Sequence, residues 1–201
     1  EGSENGVART VAYSGSTGVQ TRAIPGRHHI PRETAVNRPE VVEQFLQSLR
    51  SNGVNAVQVS GLEGLRTAVA ELSADCRPVF CPFRTETETS LNLPADVMTE
   101  SYAEAEVTIE EMPAAIAETG TIVTWSADGI VMPVNLLPPR HIALVSPDHI
   151  FADLNDFFAS LGGSVPTNIT LITGPSRTAD IEQKLITGVH GPQRVDVVVF
   201  D

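Results

Sequence analysis

The chain has 201 residues, 41% of them apolar and 19% charged, with a net charge of −12. That is a folded composition, large enough to bury a core without disulfide or metal staples. The acidic balance excludes nucleic acid and anionic membrane surfaces as expected partners, and no apolar run is long enough to span a bilayer.

Residues 1–38 are rich in Gly, Ser, Thr, Arg and Pro, including Ser14-Gly15-Ser16-Thr17-Gly18 and His28-His29. They read as an N-terminal arm, partly irregular, ahead of a single α/β domain over 39–201. Pro39 suits a helix start, Val42, Phe45, Leu46 and Leu49 form one face, and Gly53 suits the stop. Ala56–Val59 then reads as a strand and Leu62–Leu72 as a helix. Cys76 and Cys81, the only cysteines, flank a short buried strand at Val79-Phe80 and read as free thiols. The acidic stretch 84–107, with Thr85-Glu86-Thr87-Glu88, reads as a short strand, a helical turn or a long irregular loop that could serve as a lid, its charge solvated or a partner contact.

Thr108 and Glu111 fit a capping box, which predicts a helix to about Glu118 despite Pro113. Strands are expected at Thr121–Ser126 and His141–Ser146. His141, at a strand start, reads as structural. Ser146-Pro147 looks like a cap and first turn, leading into a helix that carries Phe151, Leu154, Phe158 and Leu161. A strand at Asn168–Thr173, a helix at Thr178–Thr187 and a nearly continuous apolar strand at Val195–Phe200 complete the chain. Strands alternating with helices predict a three-layer α/β/α fold with a mainly parallel sheet, its last strand covered on both faces.

There is one lysine, Lys184, and Gln183 precedes it, so there is no P-loop. The dinucleotide, serine-hydrolase and zincin signatures are absent as well. Two stretches could carry chemistry. One is the turn Glu118-Thr119-Gly120-Thr121. The other, Thr173-Gly174-Pro175-Ser176-Arg177-Thr178, runs into the expected helix at 178–187. Free N–H groups at that helix start, the hydroxyls and the Arg177 fork would favour an anion, with Asp180 in the same turn. The plainer reading is N-capping beside a surface arginine. His190, in a glycine-flanked loop, is either an acid–base group or a loop histidine bonded to backbone.

Ala117-Glu118-Thr119-Gly120-Thr121-Ile122-Val123, Leu136-Leu137-Pro138, Ile172-Thr173-Gly174-Pro175-Ser176, Ala179-Asp180-Ile181-Glu182 and Gly188-Val189-His190-Gly191-Pro192 follow one another in order. Together they resemble the LUD-domain family, which includes lactate utilization protein C-like chains. The resemblance implies the fold shared by ribose-phosphate isomerase, glucosamine-phosphate deaminase and CoA transferases. It also implies a cytoplasmic subunit acting in oxidation of L-lactate to pyruvate, beside partner subunits that carry iron–sulfur clusters. No cofactor and no metal are expected on this chain itself. A small anionic ligand would meet Thr119, Gly120, Thr121, Gly174, Ser176, Arg177 and Asp180. An alternative on the same fold is a stand-alone acyl- or CoA-transferring enzyme or a sugar-phosphate isomerase. Glu118 would then be nucleophile or base and His190 its acid–base partner.

Overall fold

A computed structural model describes residues 37–126, 136–162, 165–179, 185–187 and 191–201. The chain is mixed α/β, built on a five-stranded all-parallel sheet and a second, four-stranded sheet that is largely antiparallel. Helix α1 (Arg38–Ser51) has Pro39 in its first turn and turns its buried stripe of Val41, Val42, Phe45, Leu46 and Leu49 to the core. It stops where Gly53 adopts φ 79°, a left-handed conformation that glycine takes without steric cost. Strand β1 (Asn55–Val59) and helix α2 (Gly61–Ser73) follow, then β2 (Val79–Phe80) and a single helical turn α3 (Glu86–Ser90) capped by Thr85.

The next elements are strands β3 (Val107–Glu111), β4 (Ala114–Ile116), β5 (Thr121–Trp125), β6 (Arg140–Val145) and β7 (Ile150–Phe151). Helix α4 (Leu154–Ser160), β8 (Ile169–Ile172), β9 (Arg177–Ala179), β10 (Leu185–Thr187) and β11 (Arg194–Phe200) complete the order. The parallel sheet runs β1-β11-β6-β3-β2 and the second sheet β7-β4-β5-β8.

As its nearly continuous apolar run predicts, β11 lies between β1 and β6, parallel to both. Val195, Val197 and Val199 join the cluster of α1, and Val198 joins that of α2. The parallel sheet therefore has a helix on each face. Ala115, Ile122, Ile150 and Ile172 of the second sheet, with Ala117 just after β4, share the α1 cluster. Ala114, Ile116 and Val123 point the other way, onto Phe157 and Leu161.

Three expected elements differ. The helix over 108–118 is instead β3 and β4, separated by Pro113. Thr108 and Ile109 are both fully buried because β3 lies inside the sheet between β6 and β2. A strand buried on both faces has no period of two, so its local capping pattern imitates a helix start. The helix over 178–187 is instead an antiparallel ribbon, with Arg177 opposite Thr187 and Ala179 opposite Leu185. The last helix begins at Leu154, not near Phe151. Ser146 caps only a 3-10 turn, Pro147–His149, and Asp153 accepts from the Asp156 N–H to start α4. Replacing Asp153 with alanine should cost about 1 kcal/mol in urea unfolding; an unchanged midpoint would mean that α4 needs no cap.

No helix among the described residues is long and apolar enough to cross a membrane. Nearly all of the expected arm, including His28-His29, lies outside the described residues, as do Asp180, Lys184 and His190.

Candidate functional site

The motif stretches converge at the C-terminal end of α1. Gly120 adopts φ 63°, and a Cβ there would lie 2.6 Å from the Leu49 nitrogen and from the Ser48 carbonyl carbon. Asn52 Nδ2 donates to the Thr119 carbonyl at 2.8 Å, and Ser48 Oγ donates to the Glu118 carbonyl at 3.2 Å. Hydroxyls then form a chain, with Thr119 to Thr121 at 2.7 Å and Thr121 to Thr173 at 2.8 Å. Gly174 continues the approach, since a Cβ there would meet the Asn52 carbonyl at 3.2 Å. The Ser176 N–H donates to the Pro192 carbonyl at 2.8 Å, and Gly191 packs on Ser176.

Four of the expected residues are thus brought together at the end of α1, Thr119, Gly120, Thr121 and Gly174, while Ser176 pairs with Pro192 and Gly191. Glu118 lies beside them with an exposed side chain. Arg177 is in β9, and Asp180 and His190 are outside the described residues. The expected helix N-terminus for an anion is absent, because residues 177–179 are a strand. The convergence also sits at the amino ends of β1, β6 and β11, since Arg194 and Gln193 both donate to the Pro139 carbonyl just ahead of β6.

At the same end of the sheet, on its α2 side, lies a polar network that sequence reading missed. Asp196 is fully buried, accepting from Arg140 Nε at 2.7 Å and from Asn55 Nδ2 at 2.8 Å. Arg194 reaches it from solvent at 3.1 Å. Arg140 also donates to Asp75 at 3.3 Å and to Cys76 Sγ at 3.4 Å. Burial works against the Arg140 charge, but the bonds to Asp196 and Cys76 prevail and hold its pKa above the usual arginine value. The partners are far apart in sequence and share no periodic signal.

A second buried cluster lies on the opposite face. Glu110 and His141 are fully buried, with Glu110 Oε1 at 3.4 Å from His141 Nε2. Arg84 Nη2 donates to Glu110 Oε2 at 2.6 Å. Glu88, expected among solvated charges, is fully buried and accepts from the backbone N–H groups of Arg84 and Glu111. Burial is the main reason its pKa is raised. The two backbone N–H bonds and Arg84 act the other way, and Glu110 adds to the rise.

The native fold therefore holds the Glu88 proton at a pH where the unfolded chain has released it. The stabilisation is complete below the unfolded value and is lost as pH rises through the folded one. Glu88→Gln should flatten the fall in stability with rising pH above about pH 4.5, measured by urea unfolding; parallel wild-type and variant profiles would refute it.

Burial, then the neighbouring Glu88 charge, pushes the Cys81 thiol up to about 12. A thiol reagent at about pH 8 should label half-buried Cys76 alone in the native protein and both thiols in denaturant. Rapid native labelling of Cys81 would contradict this burial. Among the described residues no group of three or more His, Cys, Asp or Glu side chains could hold a metal ion.

A sequence model of the LUD domain matches residues 83–200. The chain is 31% identical over 179 residues to "Lactate utilization protein C" of Deinococcus radiodurans, covering 84% of each chain. It is 39% identical over 92 residues to the protein of that name from Macrococcus caseolyticus and 37% over 105 residues to that from a Geobacillus species. Those two alignments take in 43% and 49% of this chain, and only 40% and 44% of the relatives' own length. The crystal structure of a DUF162 family protein from Deinococcus radiodurans superposes with a TM-score of 0.61 at 25% identity, covering 83% of this chain and 99% of that one.

Proposed function

Because this chain belongs to the LUD domain family, we propose that it acts as a lactate utilization protein C-like subunit in the oxidation of L-lactate to pyruvate. The observation that carries this reading is the alignment with the Deinococcus radiodurans protein, which extends over most of both chains. Partner subunits would supply the iron–sulfur chemistry. The chain's own two cysteines are too few for a four-thiolate cluster, and Cys81 is buried with its thiol protonated.

The motif loops would bind a small anion at the end of α1. Thr119 and Thr173 hydroxyls and the Arg177 and His190 side chains would be its donors. Support comes from the convergence of the Thr119–Thr121 turn on Thr173, and the exposed Glu118 carboxylate would set the limit on how much negative charge is accepted there.

Growth tests the role directly. A Bacillus subtilis strain lacking its own lactate utilization protein C should regain growth on L-lactate when it expresses this chain. Expression as folded protein without growth would overturn the reading. The ligand is tested separately by thermal stability with a panel of L-lactate, pyruvate, sugar phosphates and CoA esters. An anion at 100 times its dissociation constant should add about 2.7 kcal/mol, lost in an Arg177→Ala/His190→Ala double variant. A panel without any shift would remove the anion from the proposal.

A further inference from the structure

The parallel sheet ends at β1, and among the described residues no strand pairs with its outer edge. Open edges are ordinarily protected by charges, proline or a bulge, because their main-chain groups template pairing with another strand. Asn55-Ala56-Val57-Gln58-Val59 has neither charge nor proline. Helix α2 shares its core cluster with Ile142, Leu144 and Val198 of the inner strands, and a groove of about 490 Å³ remains between it and β1. Half-buried Val57, Val59 and Leu72 and buried Ala68 make the apolar floor of the groove, and exposed Glu63 and Glu71 rim it. Arg66 already holds Glu63, whereas Glu71 has no partner among the described residues.

What fits such a groove is an extended segment that carries apolar side chains and positive charge. A second copy paired edge to edge at β1 would bring Glu63 and Glu71 of both copies to one seam, in a chain whose net charge is already −12. Residues 5–32 have the opposite character, with four arginines, two histidines and no Asp or Glu. Ahead of Asn37 the longest run without Gly or Pro is Val7-Ala8-Arg9-Thr10-Val11-Ala12-Tyr13-Ser14. In extended form Val7, Arg9, Val11 and Tyr13 share one side and Ala8, Thr10 and Ala12 the other, an alternation that suits a strand. Twenty-three residues lie between Tyr13 and Asn37. Extended, they span roughly 80 Å, so the tether allows the run to reach β1 and keeps it concentrated there.

We propose that residues 7–14 dock beside β1 as an added edge strand, with Val11 and Tyr13 on the groove floor and Arg9 facing the acidic rim. Main-chain bonds to β1 supply the hold, and the alternate side chains select this run over the rest of the arm. The chain thereby covers its own open edge. The inference is independent of the lactate-utilization reading.

Hydrogen exchange of the full chain, followed amide by amide, tests this. The outward-facing amides of β1 should be protected, and deleting residues 1–14 should speed their exchange by at least about 10-fold while β11 keeps its protection. A peptide of residues 6–15 added to the shortened chain should restore the protection, and the same residues in scrambled order should not. Should the shortened chain not fold, Val11→Asp in the full chain should expose the same amides. Arg9→Gln, and Glu63→Gln combined with Glu71→Gln, should each speed exchange by about 1.5–5-fold, and all three together no further than either change alone. Fast exchange along the outer edge of β1 in the full chain, protection that survives Val11→Asp, or additive effects of the charge variants would overturn the docking. Protection that grows with protein concentration, alongside a dimer in sedimentation, would assign the edge to a second copy instead.

Discussion

Replacing Gly120 with alanine should destabilise the protein by about 2–5 kcal/mol, the sum of a forced left-handed residue and an overpacked contact. The added methyl would fall 2.6 Å from two backbone atoms of α1, and backbone in a helix cannot rotate aside as a side chain can. Relief would require α1 to lift from the turn. That movement would break the Asn52–Thr119 and Ser48–Glu118 bonds and open the core around Leu49. Gly61→Ala is the matched control. Gly61 has nearly the same φ, 67°, but nothing lies within 4 Å of its added Cβ, so only the backbone term of about 1–2 kcal/mol remains. Urea unfolding of the two variants separates the terms; equal losses would show that α1 yields to the methyl. The result bears on function as well, because the glycine of this motif is then required for packing whatever the threonines beside it bind.

Asp196→Ala should cost about 3–5 kcal/mol, because it leaves the Arg140 guanidinium buried without its carboxylate. Arg140 is 6% exposed and Asp75 is its remaining acidic partner at 3.3 Å. Asn55 would lose its partner too. Arg194, whose side chain is 53% exposed, should behave differently: Arg194→Met should cost less than about 1 kcal/mol, since solvent already screens that pair. An apolar replacement of both members, Arg140→Met with Asp196→Leu, should recover much of the loss. A double variant as unstable as Asp196→Ala would show that the network holds the sheet end together through its geometry, and not merely by avoiding a lone charge.

Elements set by local pattern were legible from the residues alone. The stripe Val42, Phe45, Leu46, Leu49 between Pro39 and Gly53 contains its own start, face and stop, and α1 follows it. The apolar run Val195–Phe200 contains its own burial on both faces, and β11 sits inside the sheet. The family motifs were likewise readable as strings, in order, over residues 117–192.

Other features had no local cause. Thr108-Ile109-Glu110-Glu111 carries a helix cap in sequence and a buried strand in space, because pairing with β6 and β2 outweighs a capping preference worth about 1 kcal/mol. Residues 177–179 and 185–187 pair with each other across a turn, a choice that depends on contacts between segments and not on either one. Glu88 looks like solvated charge beside its acidic neighbours and is buried only because two backbone N–H groups, one 23 residues away, converge on it.

The meeting of Arg140 with Asp196, and of Arg84, Glu110 and His141, depends on strand order and register, which no window of sequence contains. By itself, then, the sequence determined the family, the α/β class and the self-contained helices and strands. The tertiary structure alone decided which polar side chains are buried together, because burial and pairing are properties of the packed chain.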